Sequence, residues 1–190
     1  MSNFSQPYTI NNWKKWLESY QPNLKYPDDT FALEVCKLAL QAVELGNFGI
    51  GCVLVDTNSN IIVKEHNQVF HPYFHSARHG EMVVMDSFEE TYKEVTSMRG
   101  YTLYTSLESC PMCMARLITS RCEKVIHVAN DPTGGMVHLK ENLPSVWIEL
   151  AQKQTFAKAK CSRELKEAAH LIFMLNAKEL NERLNQRLDT

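Results

Sequence analysis

No stretch of this 190-residue chain is apolar for long enough to cross a bilayer. The longest strongly apolar run is the six residues Ile50 to Val55, against the roughly 18–20 that a spanning helix requires. The first thirty residues lack the basic start and apolar block of a secretory signal, carrying instead Asn3, Gln6, Asn11, Asn12, Lys14 and Lys15 among scattered aromatics. A cytoplasmic location without membrane partners is the expectation. An excess of one charge is also missing: 20 Lys and Arg face 22 Asp and Glu, for a net charge of −2. That balance gives no electrostatic footprint for a polyanion, so a nucleic acid is not expected as a partner. Residues 151–190 are mildly basic, with eight basic and five acidic side chains, but contain no Arg-rich block and read as a solvated helix face. There is no internal repeat and no low-complexity tract. The length suits one domain, 1–190, with an extension over 1–27 and a closing helix over about 162–189.

What is present is a regular alternation of elements. Trp13, Trp16, Leu17 and Tyr20 form one helical stripe, closed off by Pro22 and Pro27. Asp28, Asp29 and Thr30 are candidate N-caps for a second helix, in which Phe31, Val35, Leu38, Ala42 and Leu45 recur until Gly46 stops it. Ile50 to Asp56 and Ile61 to His66 flank a polar turn and predict an antiparallel hairpin. A helix is expected from about His79 to Phe88 and a strand over Tyr101 to Ser106. Pro111 then opens a helix to Ser120, followed by a strand over Lys124 to Val128, which makes a parallel βαβ unit. Asn130 to Ser145 reads as a long loop. A short helix from Trp147, a weak edge strand from Thr155 and the closing helix complete the chain.

Six cysteines in a reducing compartment are expected to be free thiols or ligands rather than a disulfide scaffold. Cys110 and Cys113 stand three apart at a helix start, where both sulfurs can reach one point and the helix N-terminus favours thiolate. Alone, this pair also fits the Cys-Pro-x-Cys of a glutaredoxin-like dithiol oxidoreductase. The upstream His79-Gly80-Glu81 separates the two readings. One imidazole and two thiolates supply three protein ligands to a tetrahedral zinc and leave a fourth position for water, whose pKa such a metal lowers to about 7. Glu81 can then move protons without binding the metal. His-x-Glu followed by Cys-x-x-Cys is the zinc deaminase signature, and a redox dithiol needs neither the His nor the Glu. Cys36, Cys52, Cys122 and Cys161 lack such spacing and read as packing residues. His66, His71, His75, His127, His138 and His170 read as ordinary surface or core.

Through roughly 31–140 the sequence resembles the cytidine deaminase-like superfamily, in the branch of cytosine, guanine and tRNA adenosine deaminases. The resemblance rests on residues 47–55 as a first strand, on His66-Asn67, on His79-Gly80-Glu81, and on residues 102–107 leading into the thiolate pair. It implies a three-layer α/β/α sandwich with a mixed five-stranded sheet, and a homodimer as in relatives. It also implies that His79, Cys110 and Cys113 hold zinc, that Glu81 is the catalytic acid and base, and that Asn67, Gly80 and Asp131 contact substrate. Two positions depart from the family pattern: Ser109 stands where Pro usually precedes the first zinc cysteine, and Gly80 replaces the commoner Ala, as it does in fungal cytosine deaminases. The expected activity is hydrolytic removal of an exocyclic amine from a free base or nucleoside, with tRNA adenosine deamination as the alternative.

Overall fold

The computed structural model describes residue 4 and residues 8–188. Helix α1 (Ile10–Ser19) begins at a capping box, in which the Thr9 hydroxyl accepts from the Asn12 amide and the Asn12 side chain accepts from the Thr9 amide. Trp13 and Leu17 of the expected stripe are buried, with the Trp13 ring 5.8 Å from that of Trp16. Helix α2 (Asp29–Glu44) buries a wider arc than its stripe predicts, adding Ala32, Leu33, Cys36, Ala39, Leu40 and Val43. The reason is its place in the molecule, with sheet beneath it and two other helices alongside. Leu45, the last residue of the stripe, is exposed because the helix has already ended, and Gly46 leaves at φ +79°.

Strands β1 (Gly51–Val55) and β2 (Ile61–His66) form the expected antiparallel hairpin. β3 (Thr102–Leu107) pairs antiparallel with β1, whereas β4 (Lys124–Ala129) and β5 (Thr155–Lys158) are added in parallel, giving the order β2-β1-β3-β4-β5. Side-chain alternation then separates two cores. Val53, Val55, Tyr104, Ile126 and Val128 face α1, α2 and α6 (Arg163–Met174). Cys52, Leu54, Leu103 and Val125 face α3 (Gly80–Thr91) and α4 (Pro111–Thr119). The result is the three-layer sandwich with a mixed five-stranded sheet. No helix among the described residues is long and apolar enough to cross a membrane.

The closing helix expected over 162–189 is divided, and its final residue lies outside those described. α6 ends at Met174, α7 runs over Ala177–Asn185, and a 3-10 turn covers Gln186–Leu188. Asn176 breaks the run: its backbone leaves the helical region at φ −134°, and its side-chain amide donates to the Asn47 carbonyl at 2.7 Å. Apolar spacing carries no sign of that polar contact. After the break, Arg183 lies over the Phe70 ring at 4.4 Å.

The acidic residues read as caps tie distant segments together instead. Asp28 makes no side-chain cap bond; its carboxylate accepts from the Tyr104 hydroxyl and from the Lys160 amide. Buried Asp29 accepts from the Tyr20 hydroxyl at 2.8 Å, the Asn23 amide at 2.8 Å and the Ser162 amide at 2.6 Å, joining the 1–27 extension to the start of α6. The loop after β4 contains a 3-10 turn, Val137–Asn142, and is held down by Glu108. The buried Glu108 carboxylate accepts from the Asp131 amide at 3.1 Å, and from the amide and the ring Nδ1 of His138, each at 2.8 Å. Gly135 packs on the same side chain, where a Cβ would come within 2.6 Å of the Glu108 carboxyl carbon. The α5 helix (Ser145–Ala151) then packs on α4 through Met114, Ile118 and Trp147.

Asp29→Ala should lower stability by about 3 kcal/mol, because three donors lose a buried carboxylate acceptor; a denaturant melt that shifts by less than a third of this would show the clasp to be dispensable. Burial works against the ionised form of Glu108, but the His138 ring and the two amides more than offset it and hold its pKa below the usual carboxylate value. A lowered folded pKa contributes stability above the unfolded value, and that stability fades as pH falls through the folded one. Glu108→Gln should therefore melt earlier than the wild type at pH 7, with the gap closing below about pH 4. A gap independent of pH would show that the carboxylate charge is not what holds the loop.

Candidate active site

Two helix N-termini meet at the site. His79 is the N-cap of α3 and Cys110 the N-cap of α4, both with extended backbone, and Pro111 occupies the first helical position where no amide is needed. One helical turn into α4, Cys113 faces the same point, so the nearest ligand atoms of His79, Cys110 and Cys113 all lie within 4.8 Å of one another. The Cys110 Sγ is 3.5 Å from His79 Nδ1 and the Cys113 Sγ is 3.5 Å from Glu81 Oε2. Cys113 and Glu81 are buried, while His79 and Cys110 are half-buried. Arg116 fixes the two helices to each other, donating to Asp86 at 2.6 Å, Glu89 at 2.8 Å and the Met82 carbonyl at 3.2 Å.

The electrostatics of this cluster are those of a cation site. The hydrogen bond from Cys113, opposed by burial and aided by His79, pulls the Cys110 thiol down to about 4. Its partner Cys113 is pushed well up by that same hydrogen bond, by burial and by the charge of Glu81. Burial pulls the His79 pKa down, but contact with Cys110 outweighs it and leaves it raised. Burial raises that of Glu81. The pair favours negative charge on Cys110 over Cys113, and a divalent cation would draw both into the thiolate form with release of a proton. One imidazole and two soft sulfurs suit tetrahedral zinc with a position left open. Among the described residues this is the one group of three or more His, Cys, Asp or Glu side chains close enough to hold a metal ion.

The residues expected to contact substrate differ in how the fold uses them. Asn67 is fully buried; its Oδ1 accepts from the Val69 amide at 3.1 Å and its Nδ2 has no partner among the described residues. Gly80 is packed closely enough that a Cβ would come within 2.9 Å of the Cys52 sulfur and 3.5 Å of the Asn67 backbone nitrogen. The Gly in place of the commoner Ala therefore goes with the bulk of Cys52. Asp131 caps its own turn, its Oδ1 accepting from the Thr133 amide and hydroxyl and from the Gly134 amide. The four cysteines read as packing residues are buried free thiols. His138 is not the ordinary surface residue it resembles, since its ring bonds Glu108. Neither Glu108 nor Ser109 was singled out as functional by spacing. The signal for Glu108 is a carboxylate at the end of an apolar strand, which needs buried donors to be tolerated.

Residues 25–129, more than half of the chain, match the model of the cytidine and deoxycytidylate deaminase zinc-binding region. The chain is 42% identical over 110 residues to the tRNA-specific adenosine deaminase of Bacillus subtilis, covering 57% of this chain and 65% of that protein. It is 30% identical over 103 residues to a probable cytosine deaminase of Schizosaccharomyces pombe, covering 54% and 60%. The matches thus span slightly less than two thirds of these relatives. A guanine deaminase structure from Nitrosomonas europaea superposes with a TM-score of 0.62 at 18% identity over 93% of this chain and 98% of that one, a likeness of fold. With a relative named for tRNA among the matches, the expectation against a nucleic-acid partner, drawn from net charge alone, finds no support. Zinc is the metal of the matched region, and the chain belongs to the cytidine and deoxycytidylate deaminase family by that zinc-binding region.

Proposed function

We propose that this chain is a hydrolytic deaminase that removes an exocyclic amine from a nucleobase carried as the free base or nucleoside, releasing ammonia. The observation that carries this reading is the buried Glu81 carboxyl held 3.5 Å from Cys113, inside the His79, Cys110 and Cys113 cluster. In this reading those three residues hold the zinc, which when bound makes water a nucleophile at neutral pH. Glu81 takes a proton from the attacking water and returns protons to the ring nitrogen and the departing amine. Burial raises its pKa, the direction that makes a carboxyl easier to protonate, as a group that both accepts and returns protons requires. Asn67 offers the unpartnered Nδ2 to the polar edge of the base. Gly80 supports close approach because it carries no Cβ. Asp131, with one carboxylate oxygen spent on its own turn, has the other for a substrate contact. A homodimer is part of the proposal, and exposed Met112, Leu139, Val146 and Leu150 offer apolar surface to a second copy.

A second reading, in which the base is an adenosine within tRNA, is favoured by the 42% identity to the Bacillus subtilis protein. It is supported by a cavity of about 420 Å³ beside Asn130, lined by Lys158, Arg163, Lys166 and His170 together with Glu167. Cations clustered there can meet phosphates although the whole chain is acidic.

Ammonia release should be measured across free bases, nucleosides, nucleotides and tRNA. At least one small substrate should be turned over, and Glu81→Gln should keep zinc and fold while turnover falls about 100-fold or more. Near-normal turnover by that variant would remove Glu81 from the chemistry. Salt-sensitive turnover of tRNA alone would establish the second reading in place of the first.

A further inference from the structure

Asn47 lies between the end of α2 and the start of β1, in neither element, and is fully buried. Its backbone is fixed on both sides: the amide donates to the Ala42 carbonyl at 2.8 Å, and the carbonyl accepts from the Asn176 side chain at 2.7 Å, at the break between α6 and α7. The side chain then reaches into another segment. Its Oδ1 accepts from the Phe70 amide at 2.7 Å and from the His71 amide at 2.9 Å, in the turn that begins at Asn67. Asn67 closes the other side of that turn, its Oδ1 accepting from the Val69 amide at 3.1 Å while its own amide donates to the Ile50 carbonyl at 2.9 Å. Three successive backbone amides are thus held by two asparagine oxygens. A backbone amide can only donate, so the bond to Val69 sets which way the Asn67 carboxamide faces, with the oxygen on the turn and the NH2 turned from it. That buried NH2 has no partner among the described residues. The turn itself lies against the start of α3, since a Cβ on Gly80 would come within 3.5 Å of the Asn67 backbone nitrogen. Phe70 is gripped by its ring as well, with Phe48 at 5.8 Å and the Arg183 guanidinium at 4.4 Å.

We propose that Asn47 is a positioning residue for Asn67: by holding the Phe70 and His71 amides it keeps the turn closed, and so keeps the free NH2 of Asn67 in one orientation beside the start of α3. Asn176 is its anchor, which ties the same turn to the junction of α6 and α7. The inference rests on the deaminase reading for its kinetic consequence alone. A donor fixed in place before the base arrives loses no rotational freedom on binding, and that advantage disappears when the turn is released. Asn47 touches neither the zinc ligands nor Glu81 through any hydrogen bond, and a contact made equally with bound base and transition state changes KM rather than kcat. Loss of folded or zinc-loaded protein would do the reverse, lowering apparent kcat at constant KM.

The test uses the zinc-loaded full chain and the variants Asn47→Ala, Asn67→Ala and their combination. Asn47→Ala should raise KM about tenfold, the effect of losing one neutral hydrogen bond to a ligand, with kcat changed by less than about twofold. In the Asn67→Ala background the same substitution should add almost nothing, because its effect passes through Asn67. Asn176→Ala, which removes only the bond to the Asn47 carbonyl, should raise KM about threefold and serves where Asn47→Ala does not fold. In nitrogen-15 spectra the wild type should give one sharp pair of Asn67 side-chain NH2 signals, and Asn47→Ala should broaden or split them while the Phe70 and His71 amides exchange faster. A fall confined to kcat, an unchanged KM in Asn47→Ala or Asn176→Ala, an additive double variant, or Asn67 signals unaltered by Asn47→Ala would each overturn the proposal. If the wild type releases ammonia from no base, the deaminase reading fails by itself, and the Asn67 signals still decide whether Asn47 holds that side chain.

Discussion

The convergence of two helix N-termini on one point is the constraint on which the rest of this molecule depends. His79 and Cys110 sit at helix starts, where backbone amides lack partners and negative charge is favoured. Bringing those starts together requires α3 and α4 to lie side by side on one face of the sheet. Cys52, Leu54, Leu103 and Val125 provide the apolar floor, and Arg116 spans the two helices with three hydrogen bonds. The parallel β3-α4-β4 unit sets the height of Cys110 above the sheet, because the helix must begin where β3 ends. A slip of one residue in β3 would turn Leu103 and Tyr104 to the wrong layers and move the thiolate pair away from His79.

Such a site is expensive in polar burial, and the surroundings show how the fold offsets it. Glu108 is buried with three donors converging on it, so its charge is satisfied and the loop over 131–138 is fastened in the same act. Asp29 does the equivalent on the opposite layer, fastening α1 and α6 to α2. Asn67 Nδ2 and Ser109 Oγ are different, for both are buried without a hydrogen-bond partner among the described residues. Unsatisfied groups of this kind cost stability and are retained where a ligand or a moving side chain completes them.

How much could be read from the chain alone follows from which interactions leave a periodic trace. The stripe of Trp13 and Leu17, the hairpin around the polar turn at 57–60 and the Pro111 helix start are local patterns, and each appears where spacing predicts it. The His79, Cys110 and Cys113 cluster was legible because metal chemistry dictates both residue type and spacing. The wide buried arc of α2 was not, since burial on two sides depends on which helices from elsewhere in the chain pack against it. The division of the closing helix at Asn176 was hidden for the same reason: its partner is the Asn47 carbonyl, 129 residues away. Asp28 and Asp29 have the composition of caps, but their carboxylates answer donors from Tyr104, Lys160 and Ser162 that no local rule identifies. Glu108 and His138, 30 residues apart, pair only because the loop after β4 returns to the end of β3. Net charge was a poor guide to local surface chemistry, since it averages over the basic residues around Lys158 and Lys166.

Whether His79, Cys110 and Cys113 form one zinc site with an open position is decided by X-ray absorption at the zinc edge of the purified full chain. One zinc per chain is expected, with two sulfur ligands at about 2.3 Å, one imidazole nitrogen at about 2.0–2.1 Å, and a light atom in the fourth position. A first shell of four sulfurs, or a zinc-free protein in which Cys110 and Cys113 cycle through a disulfide, would contradict it.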